Sequence, residues 1–375
     1  MSQIDPGTSS WLRSRNDREA LRLFLEHGAL TRTMLGELSG MSKPTATQMI
    51  ARLERADLLL PVGEISGARG PSAVSWGVRS DRVTGVAVSM LDDTIHAVLV
   101  DAVGTAHPVV ELHVAESERS PAGDLDRAID AACVASDVDR RTVEEVVIGV
   151  QAAVSSEHDS LALTDSLPGW PPQGARHLIE SELGVAATLE NDVNLAAMAE
   201  RAFGVAQDAE SFALLWIGVG LGVGVDLGGS IHRGAHGGAG EIGYLPVASG
   251  PGEPGVVTTT LLGADGIRAL VDGGAPQVVF AEDESVLAAV AERIALTIEP
   301  VLAVLDPELV VLGGPTALAG GLRLAELVAA RTARDDRDAP LVRLSSTGDG
   351  AVLEGARRLL VEKIRTRLED RIPTQ

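Results

Sequence analysis

The sequence predicts an α/β protein in which an N-terminal winged helix–turn–helix unit precedes two lobes, each a mixed sheet flanked by helices. Short capped helices and two strand-like runs fill the first eighty residues, and from Val83 strands alternate with helices. A strand–turn–strand pattern occurs twice, the second time from Ser211. We therefore divide the chain into an N-terminal unit, two lobes and a final helix expected to pack on the first lobe: residues 1–81, 82–210, 211–349 and 350–375.

Composition limits the classes of protein to consider. The chain has 375 residues, is 45% hydrophobic and contains one cysteine, Cys133, which excludes a disulfide within the chain and a cysteine-rich zinc site. The first twenty residues lack the apolar core of a signal peptide, and no apolar run has the length of a membrane span. We expect a cytoplasmic, soluble protein with no membrane partner.

The charge is divided unevenly along the chain. The net charge is −22, yet residues 1–82 hold 11 Lys and Arg against 9 Asp and Glu, whereas the remainder holds 20 against 44. An almost neutral segment with local basic residues can bind DNA, because only its contact face has to be positive. The acidic body would repel DNA and favour one docking orientation.

The first two helices are defined by their ends. An apolar stripe predicts a helix from Asp17 that ends at Gly28. Thr31 is placed to cap a second, short helix that ends at Gly40. A short helix and a tight turn of this kind precede the recognition helix of a helix–turn–helix.

A third helix carries the candidate recognition face. Its polar N-terminal half is suited to base edges and phosphates, whereas Ala46, Ile50 and Leu53 follow at a spacing that faces a core. Two strand-like runs then flank a turn whose tip carries Arg69, as in a wing that reaches a phosphate or a narrow minor groove. A small helical bundle with a solvated polar face is the alternative, and the order of three helices and a wing favours DNA binding. The predicted DNA contacts are Ser42, Lys43, Pro44, Thr45, Thr47, Gln48, Arg52 and Arg69.

Several stretches resemble the ROK family of repressors, open reading frames and sugar kinases. "LTRTMLGELSGMSKPTATQMIARLERADLL" and "ARGPSAVSWGV" are similar to the winged-helix N-terminus of its repressors. "LPGW", "ENDVNLAAMAE", "RGAHGGAGEIG" and "LDPELVVLGGP" are similar to segments of its body. The resemblance implies an actin-like (ribonuclease-H-like) pair of lobes with sugar and nucleotide in the cleft. Asp57 stands where the family usually has a glycine after the recognition helix, and Asp tolerates the left-handed conformation better than most residues.

The resemblance also implies a ligand site. Asp192 matches the family's catalytic base, since a carboxylate can accept the proton of a sugar hydroxyl. Asn191 and Asp192 suit adjacent sugar hydroxyls, and Glu241 could grip another. A binding protein needs the same groups as a kinase, so these residues alone leave both activities open.

The phosphate-binding loops depart from the family's kinases. Ala87 replaces an Asp of the first loop, and Ser89 and Met90 stand at its glycines, where side chains obstruct close approach of a phosphate. In the second loop Val219 replaces a Thr, although the neighbouring glycines remain. We interpret those glycines as a tight hairpin. Asp192 would then be a vestigial base, and we expect the chain to have no catalytic residue and no cofactor.

The sugar end departs from the family as well. Ala152 and Ala153 replace a Pro-Gly pair, and Ser166 replaces an Asn. Tyr244 stands at the family's sugar- and zinc-binding His, and the cysteines of the zinc site do not follow, so no metal is expected. Sugar sensing and a role as a dimerisation scaffold both remain open.

These features predict a DNA-binding transcriptional regulator, a repressor that is not an enzyme. Its expected partners are a double-stranded DNA operator, a sugar or sugar-derived effector and a second copy of the chain, as a homodimer or a dimer of dimers. Two recognition helices in a symmetric dimer would read a roughly palindromic operator. The alternative is a carbohydrate kinase with an appended DNA-binding domain.

Overall fold

The structure, a computed structural model, describes residues 9–65, 72–163, 167–247, 255–270, 283–333 and 340–373. The helices of these residues are α1 (Ser9–His27), α2 (Arg32–Ser39), α3 (Lys43–Arg55), α4 (Pro121–Ser136), α5 (Ala175–Leu183), α6 (Asp192–Phe203), α7 (Thr258–Leu262), α8 (Ala264–Arg268), α9 (Glu284–Leu305), α10 (Gly314–Thr332) and α11 (Ala351–Asp370). Within the same ranges, none of the helices combines the length and the apolar character that crossing a bilayer requires.

The strands of the described residues are mostly short. They are β1 (Leu30–Thr31), β2 (Leu59–Ile65), β3 (Ala73–Val78), β4 (Thr84–Met90), β5 (Thr94–Asp101), β6 (Val109–His113), β7 (Val143–Val150), β8 (Ala153–Ser155), β9 (Ser160–Ala162), β10 (Ala186–Asn191), β11 (Ser211–Ile217), β12 (Leu221–Leu227), β13 (Ser230–Ile231), β14 (Pro246–Val247), β15 (Val256–Val257), β16 (Leu309–Gly313) and β17 (Leu341–Leu344).

The N-terminal helices begin and end largely through the caps that the sequence predicts. The Thr31 side chain accepts a hydrogen bond from the Met34 N–H at the start of α2, and the helix ends at Gly40 with φ 68°. Ser42 accepts from the Thr45 N–H at the start of α3. The first helix departs from the prediction, because α1 begins at Ser9 instead of Asp17.

The three N-terminal helices pack on an antiparallel sheet with strand order β1-β3-β2. Ala46, Ile50 and Leu53 of α3 are buried, as their spacing predicts, and Met49 is buried with them. After α3, Asp57 adopts a left-handed conformation with φ 61°, which confirms the expectation for this position. Arg79 Nη1 donates to the Asp57 carboxylate at 2.6 Å and fixes this turn to the end of β3.

Each lobe of the body has its own mixed sheet. The strand order is β10-β7-β4-β5-β6 in the first lobe and β13-β12-β11-β16-β17 in the second. In both sheets an antiparallel strand pair, β4–β5 or β11–β12, continues into parallel strands. The carboxyl ends of parallel strands meet at one edge of a sheet, where ligands commonly bind.

The last helix, α11, lies against β4, β7 and α6 of the first lobe. The approach to α6 is close, since a Cβ at Gly355 would overlap the carbonyl oxygen of Leu195. Glu200, near the end of α6, is fully buried and accepts hydrogen bonds from the hydroxyls of Ser345 and Thr347. A single hydrophobic cluster extends from α1 and α3 through α6 to α11, so the N-terminal helices share a core with the body.

Candidate functional site

A cavity of about 200 Å³ lies between the lobes, and the three predicted ligand residues, Asn191, Asp192 and Glu241, all line it. Residues that come from distant parts of the sequence complete the lining. Among them are side chains that the sequence analysis did not assign to the ligand site: Gln151, Leu163, Trp216 and Thr259.

Asn191 is placed by the junction of β10 and α6. It ends β10, which pairs in parallel with β7, and its side chain caps α6 by accepting from the Asn194 N–H at 3.1 Å. Its Nδ2 donates to the carbonyl oxygen of Ala152 at 3.1 Å. The amide therefore shapes the floor of the cavity and retains one N–H and one lone pair for a ligand.

Asp192 is the first residue of α6 and faces Glu241 from the opposite lobe. The pKa of Asp192 is raised to about 7, mainly by burial and also by the nearby Glu241 charge, whereas the Val193 N–H that donates to Oδ1 at 2.8 Å lowers it. Burial also raises the pKa of Glu241. The raised pKa values indicate that the protein stabilises the charged forms of these two carboxyl groups poorly. Both groups face the same cavity.

A glycine sets the position of Glu241. Gly240 has φ 86°, and a Cβ there would overlap the carbonyl oxygen of Val223. The Val223 N–H in turn donates to the Gly240 carbonyl at 2.8 Å. This backbone contact attaches the "GAGEIG" loop to β12 and directs the following residue into the cavity.

Two contacts hold the lobes together beside the cavity. Arg233 of the second lobe donates through Nε to Glu190 Oε2 of β10 at 2.7 Å. Gly237 lies so close to the first lobe that a Cβ would overlap the carbonyl oxygen of Val154. The ligand residues of the two lobes are therefore held at a short separation.

The first phosphate loop of the family's kinases has no open counterpart in the described residues. Ala87 is fully buried in β4 between Val98 and Val147, and Met90 is buried at the end of the strand. Arg119 Nη1 donates to the carbonyl of Leu91 at 2.9 Å and holds the following turn. No residue of β4 lines the described cavity.

The second glycine-rich loop is explained by packing. A Cβ at Gly222 would lie 2.9 Å from Val193, and one at Gly224 would lie 2.7 Å from Ala197, so these glycines allow α6 to rest on β12. Val219, at the tip of the turn, is 79% exposed. Trp216 precedes this turn and lines the cavity. The sequence feature that could have drawn attention to Trp216 is that it is a large aromatic residue in a chain that is 2% aromatic.

The N-terminal half of α3 is the candidate nucleic-acid interface. Ser42, Lys43, Pro44 and Gln48 are exposed, and Thr45 and Thr47 are partly exposed. The Ser42 hydroxyl also caps the helix, and the Thr47 hydroxyl donates to the Lys43 carbonyl at 2.9 Å. Lys43 and Gln48 are the longest of these side chains and would extend furthest from the helix. The predicted wing contact Arg69 lies outside the described residues, as does Ser166 of the sugar end.

Arg52, another predicted DNA contact, has a partner within the protein. Its Nε and Nη2 donate to the two carboxylate oxygens of Asp17 at 2.7 and 2.6 Å. Asp17 lies in α1 and is 4% exposed, so Arg52 neutralises a buried charge between two helices. Arg52 therefore has a role in the packing of α1 on α3, and its contact with DNA stays a prediction.

Comparisons with known proteins agree with this architecture. Residues 86–268 match the model of the ROK family. The putative xylose repressor of Caldicellulosiruptor sp. (strain Rt8B.4) is 22% identical over 245 residues, which are 64% of this chain and 61% of that repressor. The chain thus spans about three fifths of the length of this relative.

Two solved structures share the fold. One is a ROK family transcriptional regulator described as a homolog of the E. coli MLC protein, with a TM-score of 0.65, 19% identity and coverage of 96% of this chain and 98% of that chain. The other is the ROK hexokinase from Thermus thermophilus, with a TM-score of 0.62, 24% identity and coverage of 76% and 100%. The chain therefore has the fold of these proteins, and its residues 86–268 match the ROK family model.

Proposed function

We propose that the chain is a DNA-binding transcriptional regulator of the repressor type with a catalytically inactive ROK body. One observation carries the proposal: the cleft keeps Asn191, Asp192 and Glu241 around a cavity, whereas Ala87 and Met90 are buried where a phosphate loop would have to open. A body of this kind can bind a ligand but lacks the loop that would position a phosphoryl group and its metal ion.

The N-terminal unit supplies the DNA-binding part of the proposal. We assign α2 and α3 to a helix–turn–helix and the β2–β3 pair to a wing, and Arg69 stays a predicted wing contact. The exposed Lys43 and Gln48 at the start of α3 support this assignment, because Lys neutralises phosphates and Gln reads base edges. A symmetric homodimer, or a dimer of dimers, would place two such helices on a roughly palindromic operator.

The effector in this proposal is a sugar or sugar derivative. Asp192 and Glu241 would accept hydrogen bonds from its hydroxyls, and the remaining N–H of Asn191 would donate one. The likeness to a relative named a putative xylose repressor supports this class of ligand.

The test is fluorescence anisotropy of the purified full chain on a labelled DNA fragment from upstream of its own gene. We expect saturable binding that a sugar weakens or strengthens at constant salt, and an Asp192→Ala variant that binds DNA but no longer responds. Glu292→Ala, on the exposed side of α9 and remote from the cavity, is the matched control. Absence of sequence-dependent DNA binding would overturn the regulator proposal, and an unaltered sugar response in Asp192→Ala would exclude this cavity as the sensor.

A carbohydrate kinase with an appended DNA-binding domain is the second candidate. The pKa of Asp192 at about 7 favours it, since a general base works best near the operating pH. A coupled assay for ADP release decides the matter with sugar and Mg-ATP present. Turnover of ~1–100 s⁻¹ that is lost in Asp192→Asn would establish a kinase, and no turnover above background is the expected result.

A further inference from the structure

A second cavity, of about 240 Å³, opens at the edge of the first sheet, away from the cleft between the lobes. Its walls come from the β8–β9 hairpin, the beginning of α5, strand β10 and the last helix α11. We call it the hairpin pocket and define it by its polar lining residues: Ser155, Ser156, Asp159, Ser160, Arg176, Thr188 and Lys363.

Arg176 lines this pocket and carries an unsatisfied donor. Its Nε is buried and has no hydrogen-bond partner within the described part of the chain. Buried donors in native proteins are almost always paired with protein, water or a bound ion, so an orphaned guanidinium nitrogen beside a cavity calls for an acceptor.

The acidic residue in the pocket does not fill this role. Asp159 has φ 46° and turns its carboxylate towards the first turn of α5, where the two oxygens accept from the backbone N–H groups of Arg176 and His177 at 3.1 and 3.0 Å. The described contacts include no ion pair between the Asp159 carboxylate and the Arg176 guanidinium. The carboxylate is instead satisfied by the helix N-terminus.

Lys363 supplies the second cation, and it differs from its neighbours on α11. Each arginine of α11 has a partner: Arg357 pairs with Glu354, Arg358 with Glu362, Arg367 with Glu145, and Arg365 donates to the Ala102 carbonyl. Lys363 forms no ion pair among the described residues, although the sequence after residue 82 is strongly acidic. Two free cations at one concave site are therefore unusual for this body.

We propose that the hairpin pocket binds an oxyanion of the phosphate type, either free phosphate or the phosphoryl group of a small phosphorylated compound. Arg176 and Lys363 supply the positive charge, and the hydroxyls of Ser160 and Thr188 are placed to donate hydrogen bonds, whereas the Ser155 hydroxyl already pairs with His158 Nδ1 at 3.0 Å.

The position of the pocket connects an anion to the rest of the molecule. Thr188 lies on β10, three residues before Asn191 of the cleft, and Lys363 lies on α11, fewer than two turns before Glu369. A bound anion would link this helix to the hairpin and to α5, which stiffens the side of the first lobe that α11 covers.

The chain offers a direct assay because Lys43 and Lys363 are its only lysines. Reductive methylation with ¹³C-formaldehyde keeps their charge and gives each lysine its own methyl signal in a ¹H–¹³C correlation spectrum of the intact protein. Lys363→Arg assigns the signals. We expect titration of inorganic phosphate, at constant ionic strength, to shift the Lys363 signal to saturation and to leave the Lys43 signal in place.

Two variants test which residues bind the anion, and a second ligand tests which compound carries it. Arg176→Ala should weaken binding about tenfold or more, as expected for the loss of a charge-assisted hydrogen bond, whereas Arg358→Ala, whose guanidinium pairs with Glu362, should not change the affinity. Circular dichroism would verify that both variants fold. If glucose 6-phosphate binds tenfold more tightly than phosphate and glucose does not bind, the ligand is a phosphorylated compound. If glucose 6-phosphate and phosphate bind with equal affinity, the ligand is free phosphate.

Three outcomes would overturn the proposal: no saturable shift of Lys363, equal shifts of Lys43 and Lys363, or an Arg176→Ala affinity equal to that of the parent protein. The titration contains no DNA and no unphosphorylated effector in the cleft. Its failure is therefore distinguishable from failure of the proposed regulator function.

Discussion

Arg22 and Glu369 join the first helix of the chain to the last. Arg22 Nε and Nη2 donate to the two carboxylate oxygens of Glu369 at 2.8 and 2.9 Å. Helix α6 begins at Asp192 in the cleft, α11 packs on α6, and this ion pair connects α11 to α1. Packed elements therefore lead without a break from the cleft to the N-terminal helices. It is a candidate element for coupling an effector to DNA binding.

Arg22→Ala is expected to leave stability almost unchanged and to weaken that coupling. Arg22 is 59% exposed, so loss of the pair should change the free energy of unfolding by less than about 1 kcal/mol. The effector-dependent change in DNA affinity should fall about two- to fivefold, within the range for residues between coupled sites. Anisotropy titrations with and without effector measure both affinities.

The exposed pair Arg323–Glu284 of the second lobe provides the control, because Arg323→Ala removes a similar contact far from α1. The charge-reversed double variant Arg22→Glu with Glu369→Arg should restore part of the coupling. Full coupling in Arg22→Ala would show that the shared hydrophobic core carries the signal without the ion pair.

Lys43→Ala and Arg52→Ala should have different effects, because one residue is exposed and the other neutralises a buried carboxylate. Lys43→Ala should lower the slope of log affinity against log salt by about 1 and leave stability unchanged. Arg52→Ala should destabilise the protein by about 2–4 kcal/mol, since Asp17 would keep an uncompensated charge. Salt-dependent anisotropy and urea unfolding measure the two effects. A stable Arg52→Ala protein with a reduced salt slope would show that Arg52 contacts DNA and contributes little to packing.

Asp192→Asn should stabilise the protein at neutral and higher pH. The folded pKa of about 7 lies above the ordinary value of 3.8, so the folded state holds the proton more tightly than the unfolded state. Stability contributed by this group is present below about pH 4, falls as pH rises from 4 to 7, and is fully lost above 7. We expect the variant to be about 1–2 kcal/mol more stable at pH 8, less than the full shift implies, because the residue is partly exposed to the cleft.

Urea unfolding between pH 4 and pH 8.5 checks this expectation. The quantity to compare is the difference in the free energy of unfolding between the variant and the parent protein, because the contributions of the other carboxyl groups cancel in it. Glu241→Gln should move the window to lower pH, because the Glu241 charge raises the pKa of Asp192. A difference that does not change with pH would show that Asp192 ionises normally in the folded protein.

Gly355→Ala should separate α11 from α6. The new methyl group would overlap the backbone of Leu195, and overpacking of this kind costs about 1–3 kcal/mol even though Ala favours a helix. Gly350→Ala is the matched control at the start of the same helix, where no atom lies within 4 Å of the new Cβ, and it should cost under about 1 kcal/mol. Thermal or urea unfolding compares them, and equal stabilities would contradict the close packing of α11 on α6.

Local features of the fold were predictable because each depends on residues close together in the chain. The caps at Thr31 and Ser42 involve an N–H three residues away, and the left-handed turn at Asp57 is a property of one residue. The cleft residues Asn191, Asp192 and Glu241 were found through motifs, and the structure brings them to one cavity. Replacements at Ala87 and Met90 were also visible in the sequence, although their burial was not.

Tertiary structure alone decided which partners these residues meet. The pairing of Arg52 with Asp17 could not be predicted, because Asp17 lies 35 residues earlier in the chain and only the packing of α1 brings it close. Glu200 gave no signal of its own, yet Ser345 and Thr347 approach it across more than 140 residues. Arg176 and Lys363 meet only because α11 returns to the first lobe. Periodicity and capping report neighbours within a turn or two, whereas a charge acquires its role from the element packed against it, which no local pattern encodes.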